Sequence, residues 1–432
     1  MRIVDLIEKK VNKKELTKEE IFFLIENYTK EFVPDYQMAA MLMAILFNSM
    51  TYKEISYLTL AMLNSGKVYD FSDFDQVLVD KHSTGGIGDK TTLAVVPILA
   101  SLGVYMPKLS GKGLGQTGGT IDKLESIPGL TTNISIEDFK AQLKEIKCVI
   151  AAQSNEIVPA DKKLYALRDV TSTVQSIPLI ASSIMSKKLA TGANIILLDV
   201  KCGNGAFMKD LKSAKELAQT MINIGKELGV KVIVEITNMS RPIGKEIGNK
   251  NEIIEAINML SNKGPSDFSK LVFSSCEAIL LEMGMVQTED EARQKIALSI
   301  RTYLALNKFY ELVRYQGGNV EALNDLKKFW NPKYTYEIKA DKDGYLNVFN
   351  AFTFGIVSMK LGAGRQTKED KIDYEAGITL VKQTNEKVSK NEVIFKLHSS
   401  NVIDPSLVEE LKTAYKIQNN KVQNKIILER MQ

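Results

Sequence analysis

Two apolar runs, residues 194–200 and 231–237, flank a single long amphipathic stretch, 207–228, that stops at Gly229. Runs of this length and β-branched content read as buried strands, and the stretch between them as a helix. Strand, helix and strand with short links require a parallel pair joined by a right-handed crossover. The alternation begins earlier, with a strand over 76–80 and a helix over 91–102 that carries Pro97 in its early turns. The middle of the chain is therefore α/β.

Helical patterns surround this core. Thr17-Lys18-Glu19-Glu20 and Thr51-Tyr52-Lys53-Glu54 are capping boxes, Pro34 suits a helix start and Gly66 a helix stop. Met38, Met41, Leu42 and Leu46 share one helical face, and such a stripe reads as packing because Met fills gaps in cores. A polar helical segment follows Val158-Pro159-Ala160-Asp161 and interrupts the alternation, so it is expected to cross into the N-terminal helices and return. Helices resume over 251–328. Beyond Asn331-Pro332 strands dominate, with a turn at Asp343-Gly344, alternation over 393–397 and a last helix opened by Asp404-Pro405. The expected architecture is α/β in class. A small all-α domain spans 1–66 and 162–192, a large α/β domain with a mixed, largely parallel sheet spans 72–158 and 193–330, and a β-rich α+β domain spans 333–432.

Charge and cysteine usage narrow the partners. The net charge is +4 over 432 residues, and Lys is scattered among Glu and Asp without a basic arm, which argues against nucleic acid and leaves small anions. Cys148, Cys202 and Cys276 are odd in number and far apart, so neither a disulfide frame nor a zinc site is indicated and a reducing cytoplasm is expected. The longest apolar run, 38–47, is too short to span a bilayer, and residues 1–11 lack a signal-peptide layout. No membrane partner is expected.

The chemistry concentrates in Asp80-Lys81-His82-Ser83-Thr84-Gly85-Gly86-Ile87-Gly88-Asp89-Lys90-Thr91-Thr92. Glycines after a strand let backbone N–H groups approach an anion, and Lys, Ser and Thr add donors at the same rim. The expected guest is a phosphate. A P-loop is rejected because Asp89 separates Gly88 from Lys90, and a carboxylate there would face the phosphates. Gly113-Leu114-Gly115-Gln116-Thr117-Gly118 satisfies G-x-G-x-x-G, with Asp138 beyond it. The dinucleotide reading is rejected because Pro128-Gly129 breaks the following helix and Pro107 and Lys108 spoil the preceding strand. Together, however, Lys81, Ser83 and Thr92 on one loop and Ser110 and Thr120 on the other are donors that could grip one oxyanion from two sides.

These blocks resemble the thymidine and pyrimidine-nucleoside phosphorylases. The resemblance rests on Lys81 to Asp89, Ser110-Gly111-Lys112-Gly113-Leu114-Gly115 and Thr117-Gly118-Gly119-Thr120-Ile121-Asp122-Lys123-Leu124-Glu125-Ser126-Ile127-Pro128-Gly129. It extends to Pro159-Ala160-Asp161-Lys162, Arg168-Asp169-Val170-Thr171, Ser176-Ile177-Pro178-Leu179-Ile180, Asp199-Val200-Lys201, Gly205-Ala206-Phe207-Met208 and Leu361-Gly362-Ala363-Gly364-Arg365. It implies reversible phosphorolysis of a pyrimidine nucleoside to the free base and a pentose 1-phosphate, with pyrimidine nucleoside and inorganic phosphate as partners, no organic cofactor and a homodimer built on the Met-rich helices. Carried over by motif, Lys81, Ser83, Thr92, Ser110 and Thr120 hold phosphate. Arg168, Ser183 and Lys187 hold the pyrimidine edge, and His82, between the two, is the general acid, its charged form favoured by phosphate. Ser183 and Lys187 are one turn apart on a helix face, which suits two contacts to one ring.

Departures bear on subtype. Gln116 stands where many relatives carry His. Lys108 stands where thymidine-selective relatives tend to be apolar, which implies that uridine is accepted as well as thymidine. Some relatives bind a monovalent cation near Gly88 and an acid corresponding to Glu255; Lys90 is expected to bring its own ammonium there instead. His398 reads as structural and Lys188 as a surface residue. Two other readings stay open: an anthranilate-type phosphoribosyltransferase, and a nucleoside-binding protein without catalysis.

Overall fold

The computed structural model describes residues 1–432 apart from Asp73, 114–117, Asn155 and Lys368. Four helices open the chain: α1 (Ile3–Val11), α2 (Lys18–Thr29), α3 (Asp35–Asn48) and α4 (Tyr52–Leu63). Both capping boxes form, with the Thr17 and Thr51 hydroxyls accepting from the N–H groups of Glu20 and Glu54. Met38, Met41 and Leu42 of α3 are buried inside this unit. Their stripe is therefore core, as the packing reading of the sequence has it.

The α/β part runs β1 (Val79–Ser83), α5 (Thr91–Ser101), β2 (Met106–Ser110), α6 (Thr120–Glu125), α7 (Ile136–Ile146) and β3 (Cys148–Ala152). Next, α8 (Pro159–Val170) and α9 (Ile177–Leu189) leave the sheet and pack on α2, α3 and α4. The chain then continues through β4 (Ile195–Cys202), α10 (Leu211–Glu227), β5 (Lys231–Asn238), β6 (Glu246–Gly248), α11 (Lys250–Leu260), α12 (Ser266–Glu282), α13 (Glu289–Arg301), α14 (Leu304–Tyr315) and α15 (Leu326–Phe329). Strands β1, β4 and β5 pair in parallel, as do β2 and β3. A parallel bridge from Leu78 to Tyr105 joins the two groups. α5, with Leu93 to Ala100 all buried, lies in the main core beside α11, α12 and α14.

Three local expectations shift. β1 starts later than expected and runs through Lys81, His82 and Ser83, because these pair with Leu197, Leu198 and Asp199 of β4 and the charged Lys81 head meets Asp199. α10 starts at Leu211 because Asp210 caps it through the N–H of Ser213. β2 is a strand despite Pro107 and Lys108. Met106 donates to Lys147 on the β3 side, so the missing N–H of Pro107 falls on the β1 side, where ladder pairing is confined to the bridge. The short α6 does end before Pro128.

The tail contains β7 (Tyr334–Lys339), β8 (Gly344–Val348), α16 (Ala351–Ser358), β9 (Gly377–Leu380), β10 (Lys387–Val388), β11 (Val393–Ser399), α17 (Pro405–Lys412), β12 (Tyr415–Gln418) and β13 (Ile427–Met431). The segment 333–432 is not one self-contained unit. β6 joins the tail sheet in the order β6-β9-β11-β7, and β13 returns to pair antiparallel with β5. Among the described residues no helix is long and apolar enough to cross a membrane.

Candidate active site

The pleat of β1 sorts neighbouring residues onto opposite faces, Lys81 and Ser83 on one and Asp80 and His82 on the other. On the first face Lys81 is fully buried, bonded to the Thr91 hydroxyl and 3.5 Å from Asp199. Ser83 donates to Asp89, whose other oxygen accepts from the Thr91 N–H at 3.2 Å and the Thr91 hydroxyl at 2.6 Å. Burial raises the Asp89 pKa, but Lys201, Lys81 and these hydrogen bonds outweigh it and hold the carboxyl well below its ordinary range. Asp89 thus turns inward and organises the loop's own donors. Gly88 is needed here: its φ is +71°, and a Cβ would sit 2.6 Å from the Ile243 carbonyl. Thr92 lies in the first turn of α5, whose N-terminus attracts anions.

The second loop leaves β2 at Ser110. β1 and β2 are bridged in parallel at Leu78 and Tyr105, and Ser83 and Ser110 are the last residues of the two strands. Thr120 is the first residue of α6. The neck of the loop is tight: a Cβ on Gly119 would lie 2.2 Å from the Gly113 nitrogen. Asp122 accepts from that N–H at 2.5 Å and from Arg365 of the tail at 2.9 Å. Gln116 lies outside the described residues.

On the other face, Asp80 is fully buried between two lysines, with Lys188 at 2.8 Å and Lys108 at 3.6 Å. Lys188, read from sequence as a surface residue, is 3% exposed and also donates to the Leu109 carbonyl at 3.1 Å, so it ties α9 to β1 and β2. Lys108 donates to the same carbonyl at 2.9 Å. Half-buried His82 sits among these charges. Burial first, then Lys188, Lys108, Lys187 and Lys81, lower its pKa well below 6.5. Burial and these lysines together favour the neutral ring. On α9, Lys187 bonds to Asp161 and to the Ser183 hydroxyl at 2.8 Å. Arg168 of α8 is buried and pairs with neither Asp169 nor Asp161. Its guanidinium donates to the carbonyls of Val174 at 2.8 Å, Leu179 at 3.1 Å and Thr173 at 3.5 Å.

Comparison with known proteins matches residues 75–306 to the a/b domain of the glycosyl transferase family, 4–66 to the helical bundle domain of that family, and 345–418 to the pyrimidine nucleoside phosphorylase C-terminal domain. A pyrimidine-nucleoside phosphorylase of Staphylococcus epidermidis is 49% identical over 400 residues, covering 93% of this chain and 92% of that protein. The one from Geobacillus stearothermophilus is 48% identical over the same share of each chain, and one from Staphylococcus aureus is 45% identical over 99% of this chain and 100% of its own length. The chain belongs to the pyrimidine-nucleoside phosphorylase family. An anthranilate phosphoribosyltransferase from Thermus thermophilus has a similar fold, with a TM-score of 0.58 at 15% identity over 72% of this chain and 98% of its own.

In this family member the residues around Lys90 form a closed set. The Lys90 ammonium bonds to Glu255, to the Glu246 carbonyl at 2.7 Å and to the Ile243 carbonyl at 2.9 Å. Glu255 also accepts from the N–H groups of Lys245 and Glu246. Burial lowers the Lys90 pKa, but the carboxylates of Glu255, Glu252 and Glu246 outweigh it and the net shift is upward, toward the charged form. Two carbonyls and a carboxylate thus surround the buried ammonium. Sequence reasoning missed Asp80, Asp122, Arg365 and the role of Lys188. Asp122 and Arg365 stood in quoted motifs, but only the fold brings the tail against the second loop.

Proposed function

We propose that this phosphorylase-family chain catalyses reversible phosphorolysis of pyrimidine nucleosides, taking thymidine, deoxyuridine and uridine to the free base and the pentose 1-phosphate. The observation that carries this reading is that parallel strands β1 and β2, bridged at Leu78 and Tyr105, end at Ser83 and Ser110 and each lead through glycines to a helix N-terminus. Lys81, Ser83, Thr92, Ser110 and Thr120 hold phosphate there, and Arg168, Ser183 and Lys187 hold the pyrimidine across the cleft. A phosphate oxygen bonds to the anomeric carbon as the glycosidic C–N bond breaks, and the bonding pair leaves with the base. Lys187 and Arg168 stabilise that charge. Arg168 has five N–H donors and uses three on carbonyls, which leaves two for a ring oxygen.

His82 supplies a proton to the base, and the phosphate charge offsets the burial and the four lysines that otherwise keep the ring neutral. Lys90 stands in for a monovalent cation, and Lys108 meets a sugar hydroxyl. The working form is a homodimer through the helical unit, where Phe32, Tyr36 and Phe47 are exposed, and light scattering tests it. Buried thiols at Cys148, Cys202 and Cys276 suit a reducing cytoplasm.

Ultraviolet monitoring of the three nucleosides with and without phosphate tests the reaction; absence of phosphate-dependent base release overturns it. His82→Ala should lower kcat by ~10² to 10⁴, with little change in thymidine affinity. The phosphoribosyltransferase reading rests on fold likeness alone, whereas the tail matches a phosphorylase domain. Thymidine binding without turnover would instead favour a non-catalytic binder.

A further inference from the structure

Lys123 is fully buried in α6 and none of the steps above uses it. Its ammonium is 2.9 Å from the Asp89 carbonyl, 3.3 Å from the Gly118 carbonyl and 3.0 Å from the Glu252 carboxylate. Asp89 belongs to the first glycine loop and Gly118 to the second. One side chain with three donors therefore takes one acceptor from each loop and a counter-charge from α11. Glu252 is held in turn by the Gly248 N–H at 2.9 Å. Glu252 and Glu255 lie one turn apart on α11, so the two acids and their lysines anchor the end of the first loop at Asp89 and Lys90.

A buried ion pair is a weak source of stability, since apolar groups of the same volume commonly do as well. Stability alone therefore does not account for a lysine here. Geometry does. Lys81, Ser83 and Thr92 are carried by one loop and its flanks, and Ser110 and Thr120 by the other, so the spacing of the loop backbones fixes the spacing of the donors. Gly88, Gly118, Gly248 and Glu252 also line a void of about 10 Å³, barely the minimum for a single water. Without the ammonium the loops lose their common anchor and gain room to shift.

We propose that Lys123 is a positioning residue that sets the spacing of the two phosphate-binding loops and so controls phosphate affinity without touching phosphate. This rests on the function proposed above. The test compares Lys123→Met, Lys123→Arg and the double variant Lys123→Met with Glu252→Gln, which removes both charges together. In the folded double variant kcat/KM for phosphate should fall by on the order of 100-fold, with the nucleoside KM and the melting temperature near wild type. Lys123→Arg keeps the charge at a different reach and should give an intermediate phosphate KM; it carries the test alone if the neutral variants do not fold. A wild-type phosphate KM in every folded variant overturns the inference, as does an equal rise in both KM values. Calorimetric titration with inorganic phosphate alone separates the two readings. Wild-type protein that binds phosphate but releases no base refutes the reaction and leaves the loop spacing testable, whereas wild-type protein that binds no phosphate refutes both.

Discussion

Replacing Lys90 with Ser should expose a latent cation site. The wild-type ammonium has three oxygen partners, the Ile243 and Glu246 carbonyls at 2.9 and 2.7 Å and the Glu255 carboxylate, and the Lys90 and Glu255 side chains are 0% and 4% exposed. Removing it leaves Glu255 as a buried charge that still accepts two backbone N–H groups but has lost its cation. Breaking one side of such a pair costs about 3–5 kcal/mol. A cation that binds only the folded state returns RT ln(1 + [L]/Kd), about 2.7 kcal/mol at a hundredfold excess over Kd. Urea unfolding in choline chloride should therefore show Lys90→Ser weakened by ~3–5 kcal/mol, and potassium chloride at equal ionic strength, at a hundredfold excess over Kd, should restore about 2.7 kcal/mol of it. Lys90→Met, whose apolar stem fills the slot, should be weakened without rescue. Equal stabilisation of wild type and Lys90→Ser by potassium refutes the argument, as does a clear potassium dependence of wild-type activity.

Three further outcomes follow from the same structure. Burial and the charge of Glu255 raise the Glu246 pKa from 4.5 to about 8, against hydrogen bonds from Thr379 and Asn251. Between those values the unfolded chain has lost a proton that the folded chain keeps, so this contribution to stability is complete below pH 4.5 and is lost as pH rises through 8. Glu246→Gln should gain stability relative to wild type across that window, and a pH-independent difference in urea midpoints rejects the assignment. His398 is shifted the other way, from 6.5 to about 4, by burial and then Lys396, so its contribution is present above pH 6.5 and lost as pH falls through 4. His398→Gln should lessen the acid loss of stability measured over that range. Lys108 donates to Leu109 and stands 3.6 Å from Asp80, which leaves N–H capacity for a sugar hydroxyl. Lys108→Met should lower kcat/KM for uridine relative to thymidine, and an unchanged ratio ends that reading.

Periodicity and punctuation were enough to predict the parallel α/β core, the N-terminal helices and the strand-rich tail, because each depends on local patterning and caps. What they could not supply was pairing between distant segments. Nothing in Glu246 to Gly248 announces a strand of the tail sheet; those residues pair only because Gly377 to Thr379 come to lie beside them. β2 was misjudged for a related reason, since a proline harms a strand only where its missing N–H would have been used, and that depends on which neighbour lies on which side. Lys188 failed as a surface residue because its partner Asp80 is far away in sequence.

The stretch around His82 shows how far composition can go. Its glycines and donors imply an anion site in the sequence, but the sequence treats Lys81, His82 and Ser83 as neighbours. Once they lie on β1, the pleat directs Lys81 and Ser83 toward α5 and the glycine loop, and His82 toward Lys108, Lys187 and Lys188. A one-residue slip in the register of β1 against β4 would exchange the two sets. The fully buried pair of Lys81 with Asp199 in the neighbouring strand opposes that slip. The buried lysine at 81 therefore acts on the fold as well as on the loop it caps, because the register it helps to hold is also what turns His82 toward Lys108, Lys187 and Lys188.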